Sequence, residues 1–365
     1  MKADKPVLAA LRAAVNGVDL VRFRFWVQLA SFAFFVYGGY AAVNLGSHLP
    51  IFACGYNRVG KAGAGVCYLM PLQHQLARSW TTLFTGASLF ILTGLAIFAL
   101  WFIALNKAWC GFVCPMGTIQ DWITALRRFV GIRYSVYTQS QFGWLKKIKY
   151  LLLALAVLIP LGIGDGYITR ELRAPICQIC PGRVLLPLFS GDYSHLSIDF
   201  TSPTTVTMTA LGVFIAGLFL VGSFVKKRFY CFFCPMSALQ FLFSKLALLR
   251  LKKDGAKCTR CGDCYRVCDM QIKAIADDVA TADIMADDCT LCLKCVAACP
   301  ETGALKVKYA GLTIFESTET GFIKRCQRGH CRAHASRCAH RRRRPAAFLP
   351  QPPGPGGGGH AHPSR

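Results

Sequence analysis

Four apolar runs, at about 25–45, 80–105, 148–168 and 204–225, limit this chain more than any other feature. About 20 apolar residues in a helix cross the hydrocarbon core of a bilayer. The first, second and fourth runs meet that length easily. The third is interrupted by Pro160 and begins beside Lys149. A span with Lys149 snorkelling to the interface and a re-entrant or buried segment both stand for it. Only 16% of the residues are charged and 54% are hydrophobic, against roughly 25% charged in soluble domains. The expected class is an α-helical membrane protein with four transmembrane helices.

Basic residues order these spans. Lys2, Lys5, Arg12, Arg22 and Arg24 precede the first, seven lie in 106–149 and eight in 226–257, but only three in each of 46–79 and 164–203. Basic loops stay in the cytoplasm. Both termini are therefore expected there, with the two sparse loops outside. The first run starts late and lacks a small-residue cleavage pattern, which favours an uncleaved anchor. The net charge of +24 does not imply a nucleic-acid partner. Eight arginines lie after residue 325, in a tail without acids, and much of the remainder flanks the apolar runs.

The chain then repeats itself. Cys110-Gly-Phe-Val-Cys114-Pro115-Met116 follows the second run, and Cys231-Phe-Phe-Cys234-Pro235-Met236 follows the fourth. The segments beyond the prolines also match, MGTIQDWITALRRFV beside MSALQFLFSKLALLRL. A duplicated two-span unit is the expected reading. It would bring Cys110, Cys114, Cys231 and Cys234 together at one membrane face. Proline suits a first helical turn. Ile119, Trp122, Ile123, Leu126 and Val130 then share one helical face, as do Leu239, Leu242, Phe243 and Leu246. Interfacial helices and core packing both fit that pattern.

Residues 258–300 are the most specific segment. Cys258, Cys261, Cys264 and Cys268 form C-x2-C-x2-C-x3-C, and Cys289, Cys292, Cys295 and Cys299 repeat it before Pro300. This is the bacterial two-cluster ferredoxin pattern, in which the fourth cysteine of each run serves the other cluster. One [4Fe–4S] cluster is expected on Cys258, Cys261, Cys264 and Cys299, the other on Cys289, Cys292, Cys295 and Cys268. Asp269 stands where the first run would carry proline. Two complete runs argue against zinc.

With WCGFVCP, YCFFCP and both ferredoxin runs, residues 20–310 resemble the membrane-bound polyferredoxins of the NapH, MauN and NosR type. The resemblance implies an electron-transfer protein of the bacterial cytoplasmic (inner) membrane, with its ferredoxin domain in the cytoplasm. It also implies quinol oxidation for a respiratory or denitrification-type system, as the component of a quinol dehydrogenase-like assembly. Relatives of a further type serve copper reduction for oxidase assembly. NosR-type relatives add a flavin-binding region, for which this chain has no room. The paired motif of the family is C-x3-CP twice, whereas the second copy here is C-x2-CP.

The remaining paired cysteines lie in the sparse loops. Cys177-Gln-Ile-Cys180-Pro181 is another CP motif, Cys67-Tyr-Leu-Met70-Pro71 a degenerate one, and Cys54 is nearby. A further cluster, disulfides and an exchanging thiol pair are all open for Cys54, Cys67, Cys177 and Cys180. No histidine lies within a run, which argues against haem in the bilayer. His48, His74 and His195 are loop residues, with His74 or His195 as candidate proton acceptors beside a quinone.

The expected domains are a cytoplasmic segment 1–24, a four-span membrane domain 25–250, an α+β two-cluster ferredoxin-like domain 251–310 and a tail 311–365, disordered from about 326. Cys326, Cys331, Cys338, His330 and His334 are possible ligands in that tail, and Arg341 to Arg344 a lipid contact, but no function is placed there. The leading function is electron transfer between the quinone pool and a periplasmic or cytoplasmic redox partner protein. The alternatives are an assembly or metal-reduction factor and a redox sensor.

Overall fold

The computed structural model describes residues 19–41, 54, 65, 67–78, 81, 88–164, 166–284 and 288–327. Helix α1 spans Leu20–Tyr37, N-capped by Asp19, and continues as a 3-10 turn to Ala41. Helix α2, Leu69–Leu76, is short, and α3 is Ser88–Leu105. Helix α4, Pro115–Val130, follows the first CP motif, and α5 runs unbroken over Gln139–Gly164. The short α6, Pro175–Gln178, and α7, Pro181–Phe189, precede α8, Pro203–Val225. Helix α9, Pro235–Phe243, follows the second CP motif.

Four helices are long and apolar enough to cross a membrane: Leu20–Ala41, Ser88–Leu105, Ser140–Gly164 and Pro203–Val225. The first starts about five residues earlier than its apolar run suggests, because Arg24 and Gln28 lie buried against protein and need no water. The third tolerates Pro160 inside the helix, since neighbouring groups can satisfy the freed carbonyl. Lys149 does not snorkel. It is fully buried, and its ammonium lies 2.6 Å from the Asp288 carboxylate.

The C-terminal part is a small α+β unit. Strands β1 (Leu249–Lys253), β2 (Leu305–Tyr309) and β3 (Leu312–Glu316) form an antiparallel sheet in the order β1-β2-β3, with Leu251 opposite Val307. Leu251, Leu305, Val307 and Phe315 turn inward onto Cys264, Cys295 and Cys299. Helices α10 (Asp263–Arg266), α11 (Ala274–Asp277) and α12 (Lys294–Ala298) carry the cysteine loops, and α13 (Glu319–Gln327) closes the described chain. The sheet thus extends past the boundary expected at 310, since β3 supplies the pairing that β2 would otherwise lack. Cys326 falls within α13. Cys331, Cys338, His330, His334, Arg341 to Arg344, His48 and the segment 1–18 lie outside the described residues.

This unit is seated at one end of the four long helices. Leu20 of α1 joins its core, Asn106 after α3 donates to Leu249 O at 2.8 Å, Lys149 of α5 meets Asp288, and Arg228 after α8 reaches Asp121 beside Lys294. The start of α1, the end of α3, the start of α5 and the end of α8 therefore share one end, the alternation that four consecutive spans produce.

Candidate iron–sulfur sites

The ferredoxin loops take the same path twice. Arg260 and Leu291, between the first two cysteines of each run, are both left-handed, with φ of 51° and 47°. Gly262 and Leu293, just after the second cysteine, are left-handed too, at 78° and 57°. A left-handed side-chain-bearing residue costs roughly 1–2 kcal/mol, and such strain clusters at functional sites. Here it coils three cysteines around one point.

Cys258, Cys261, Cys264 and Cys299 line one recess, together with Lys253. Cys268 lies in the field of Cys292 and Cys289, and Cys295 in that of Cys292, Cys289, Cys268 and Cys264. Cys299 thus shares a recess with Cys258, Cys261 and Cys264, and Cys268 lies in the field of the second run. Burial pushes the Cys264 thiol up to about 12 and the Cys289 thiol up to about 11. A thiolate in these loops is thus costly unless a metal takes up its charge. Among the described residues no three cysteine, histidine or carboxylate groups close on one point as a single ion requires. All-thiol sets arranged around a volume suit an iron–sulfur cluster.

The CP cysteines also meet. Cys234 lies in the field of Cys110, Cys231 and Cys114. Their unequal spacing is absorbed by the turns that carry them. Trp109–Val113 is a wide π turn and Phe229–Phe232 a tighter 3-10 turn. Both end alike, with Cys114 at φ −63°, ψ 119° and Cys234 at φ −67°, ψ 112°, each with proline next as the first residue of a helix. Lys107 and Arg228, both buried, supply positive charge beside Cys110.

Two glutamines escaped the sequence reading. Gln120 and Gln240 each stand five residues after their own CP proline. Each reaches across to the other half. Gln120 Nε2 lies 3.6 Å from Cys231 Sγ, and the Cys110 thiol donates to Gln240 Oε1 at 2.9 Å. The matched strings CPMGTIQ and CPMSALQ contained the signal, but a side-chain amide alone does not announce a sulfur partner.

The two halves of the molecule touch at these sites. A Cβ on Gly111 would stand 2.5 Å from Thr290 O and 3.0 Å from the Cys292 backbone. Only glycine permits that approach of the CP loop to the ferredoxin loop. Phe232, Met270 and Ile272 form a second bridge, against which Cys231, Cys268 and Cys289 pack. A buried charge network closes a third. Asp121 accepts from Arg24 and, at 2.7 Å, from Arg228. Arg24 and Arg228 also donate to Gly111 O and Cys110 O at 2.9 and 2.8 Å. Burial alone would raise the Asp121 carboxyl, but Arg228, Arg24 and Lys294 overcome it and hold it far below the usual range. Lys294 also pairs with Asp269, so the residue in place of the ferredoxin proline is a charged anchor.

The apolar stripe of α4 divides along its length. Ile119 is buried, whereas Leu126 and Val130 are exposed, together with Phe129. Polar Thr118, Gln120, Thr124 and Arg127 are buried on the protein side, with Arg127 donating to Phe224 O at 2.8 Å. Of the loop cysteines, Cys67 and Cys180 are buried in the core that holds Cys234, with Cys54 packed against it. They point inward rather than away from the bundle. Cys177 is half-buried beside Gln73. His74 is half-buried on α2, and burial, then Arg173, lowers its pKa. His195 is buried in the turn Ser194–Leu196.

Residues 250–300 match the 4Fe-4S dicluster domain family, and 85–133 and 208–254 each match the 4Fe-4S binding domain family. YccM of Escherichia coli, named for electron transport, is 25% identical over 238 residues, covering 65% of this chain and 60% of that protein. The ferredoxin-type protein NapH of Haemophilus influenzae is 27% identical over 218 residues, covering 58% and 66%. The methylamine utilization ferredoxin-type protein MauN of Methylorubrum extorquens is 25% identical over 189 residues, covering 48% and 53%. The chain is similar to these ferredoxin-type proteins and carries matches to two 4Fe-4S domain families. Four of its described helices are long and apolar enough to cross a membrane. The chain spans less than two thirds of the length of these YccM and NapH relatives. No solved structure matches it.

Proposed function

We propose that this chain carries electrons singly between a membrane quinol and a redox partner protein, from a bacterial inner membrane with its ferredoxin unit in the cytoplasm. One cluster would be held by Cys258, Cys261, Cys264 and Cys299, a second by Cys289, Cys292, Cys295 and Cys268, and a third by Cys110, Cys114, Cys231 and Cys234. When bound, such clusters accept and release one electron each. The contact of Gly111 with Thr290 and Cys292 carries the reading, because it leaves no room for solvent between the CP loop and the ferredoxin loop. The double family match and the crossed glutamines support a duplicated two-span unit, and the strained cysteine loops a bacterial ferredoxin-like fold. The basic loops support the orientation. Exposed Leu126, Phe129 and Val130 suit a lipid-facing edge. No observation among the described residues favours the maturation-factor or sensor reading.

A quinol that is oxidised releases two electrons and two protons. The electrons would leave one at a time through the CP site, and the protons would pass to water or to loop groups such as His74. The test is anaerobic reduction of the purified chain by a soluble quinol, followed by EPR. Wild type should be reduced. Cys110→Ser/Cys231→Ser should keep its ferredoxin signals under dithionite yet lose reduction by quinol. Equal quinol reduction of both proteins would refute the route.

A further inference from the structure

The Leu69 backbone N–H favours the thiolate at Cys67 and that of Gly182 does so at Cys180, while the Arg183 N–H donates to Cys180 O at 3.0 Å. Gln73 Nε2 lies 3.3 Å from Cys177 Sγ. The Gln73 side chain is held in that pose, since Nε2 also donates to Leu69 O at 2.8 Å and Oε1 accepts from Ile176 N at 3.2 Å. At the ferredoxin cysteines the backbone N–H of Ile272 likewise favours the thiolate of Cys268, and that of Leu291 the thiolate of Cys289. Donors aimed at sulfur stabilise a metal-bound thiolate and do far less for the neutral sulfurs of a disulfide.

The four thiols lie in one part of the core. Cys67 and Cys180 are buried there with Cys54 packed against it, Cys67 feels the charge of Cys177, Cys180 and Cys54, and none of the four is in a disulfide. Helices α2 and α7 begin within two residues of Cys67 and Cys180 and dip into the bundle from the end opposite the ferredoxin unit. Irregular backbone at such depth is tolerated where protein buries it.

We propose that Cys54, Cys67, Cys177 and Cys180 hold a further [4Fe–4S] cluster inside the bundle, with Tyr230 standing between it and the CP site. The Tyr230 hydroxyl lies 3.9 Å from Cys180 Sγ. Its backbone N–H donates to Gln120 Oε1 at 3.0 Å, and Gln120 is the residue that reaches Cys231. Met116 Sδ and Cys180 Sγ both come within 3.5 Å of a Cβ placed on Gly182, so the start of α7 abuts the start of α4. The line of thiol sites then runs from the ferredoxin unit through the CP site into the middle of the bundle. One electron passes from site to site, with no bond made or broken at sulfur. The proposal rests on the electron-carrier reading but is tested apart from it.

The experiment counts iron and acid-labile sulfide on the anaerobically purified full chain, beside Cys67→Ser/Cys177→Ser and Cys110→Ser/Cys231→Ser. Wild type should hold about 16 irons, and each variant about 4 fewer, at four per cluster. About 12 irons, kept by the first variant and lost by the second, would overturn this cluster and leave the CP-site cluster standing. About 12 irons lost by the first and kept by the second would support this cluster and overturn the other. Because serine variants can misfold, the wild type is also reduced stepwise and its EPR spins integrated. Four spins per chain are expected, and three or fewer overturn the proposal.

Discussion

Gln120 reaches the Cys231 thiol across the boundary between the two repeats, 3.6 Å away. Gln240 holds Cys110 at 2.9 Å in the mirrored arrangement. Once the sulfur is bound to iron, its proton is gone and each amide can present N–H to it. A donor to a charged acceptor is worth about 1.5–3 kcal/mol, and it favours the more negative, reduced site. Gln120→Leu and Gln240→Leu should each lower the CP-site potential by on the order of 60 mV, using about 59 mV per 1.4 kcal/mol for one electron. Iron content should not change. EPR-monitored redox titration checks it, and an unmoved potential would remove the glutamines from the site.

Lys107 acts on the same site through charge. It is buried, 3.3 Å from Ser237 Oγ, and favours the thiolate at Cys110. Its ammonium should ease reduction. A unit charge about 8 Å away at an effective dielectric near 20 is worth on the order of 2 kcal/mol. Lys107→Met should therefore lower the CP-site potential by roughly 80 mV. The ferredoxin signals of the same sample serve as the internal reference.

How far the sequence reached can be judged on these residues. Cysteine spacing is local, because a loop of a few residues must wrap one cluster, so the two runs are legible in the sequence, and the structure sets Cys299 beside Cys258, Cys261 and Cys264. Apolar length is local too, and it located the four helices long enough to cross a membrane. What stayed hidden depends on pairs far apart in the chain. Lys149 looked like a snorkelling lysine because Asp288, 139 residues away, carries no mark of its partner. Asp269 looked like a defect in a motif until Lys294 was found beside it. The burial of Cys67 and Cys180 in the core that holds Cys234 is not visible in loop composition.

Gly111→Ala should separate the two units without removing a ligand. Its new Cβ would meet Thr290 O at 2.5 Å, against backbone that cannot swing away. Overpacking of this kind costs about 1–3 kcal/mol. Cluster content should persist, while electron passage from the CP site to the ferredoxin unit slows. Rapid-freeze EPR after a pulse of quinol measures that rate.

Asp121 should be the most sensitive polar position in the fold. Asp121→Asn leaves Arg24 and Arg228 buried without their carboxylate, a loss of about 3–5 kcal/mol for a broken buried pair. The folded-state pKa of Asp121 is depressed, so its contribution is complete above the unfolded value of about 4. It falls away only as pH drops from there toward the folded value. Thermal unfolding of wild type should thus show no loss from this group between pH 7 and about pH 5. The Asn variant should be less stable throughout that window, and a pH-dependent difference inside it would contradict the assignment.

The pair Lys149 and Asp288 ties the third span to the second ferredoxin run, next to Cys289. Asp288 is 1% exposed in its side chain, with Lys149 at 2.6 Å and the partly exposed Lys146 at 3.2 Å. Lys149→Met leaves one lysine to compensate a buried carboxylate, so a loss approaching 3 kcal/mol is expected, the lower end for a broken buried pair. Asp288→Asn leaves Lys149 charged with no carboxylate and should cost a similar amount. In the double variant neither charge remains, and packing of the introduced methionine beside an amide should recover much of the stability. The two single losses should therefore exceed the double loss by more than about 1 kcal/mol, the mark of a direct interaction. Limited proteolysis locates the effect. If the pair docks the ferredoxin unit, each single variant should release a fragment cut between α9 and β1 faster than wild type does, and the double variant should release it at close to the wild-type rate.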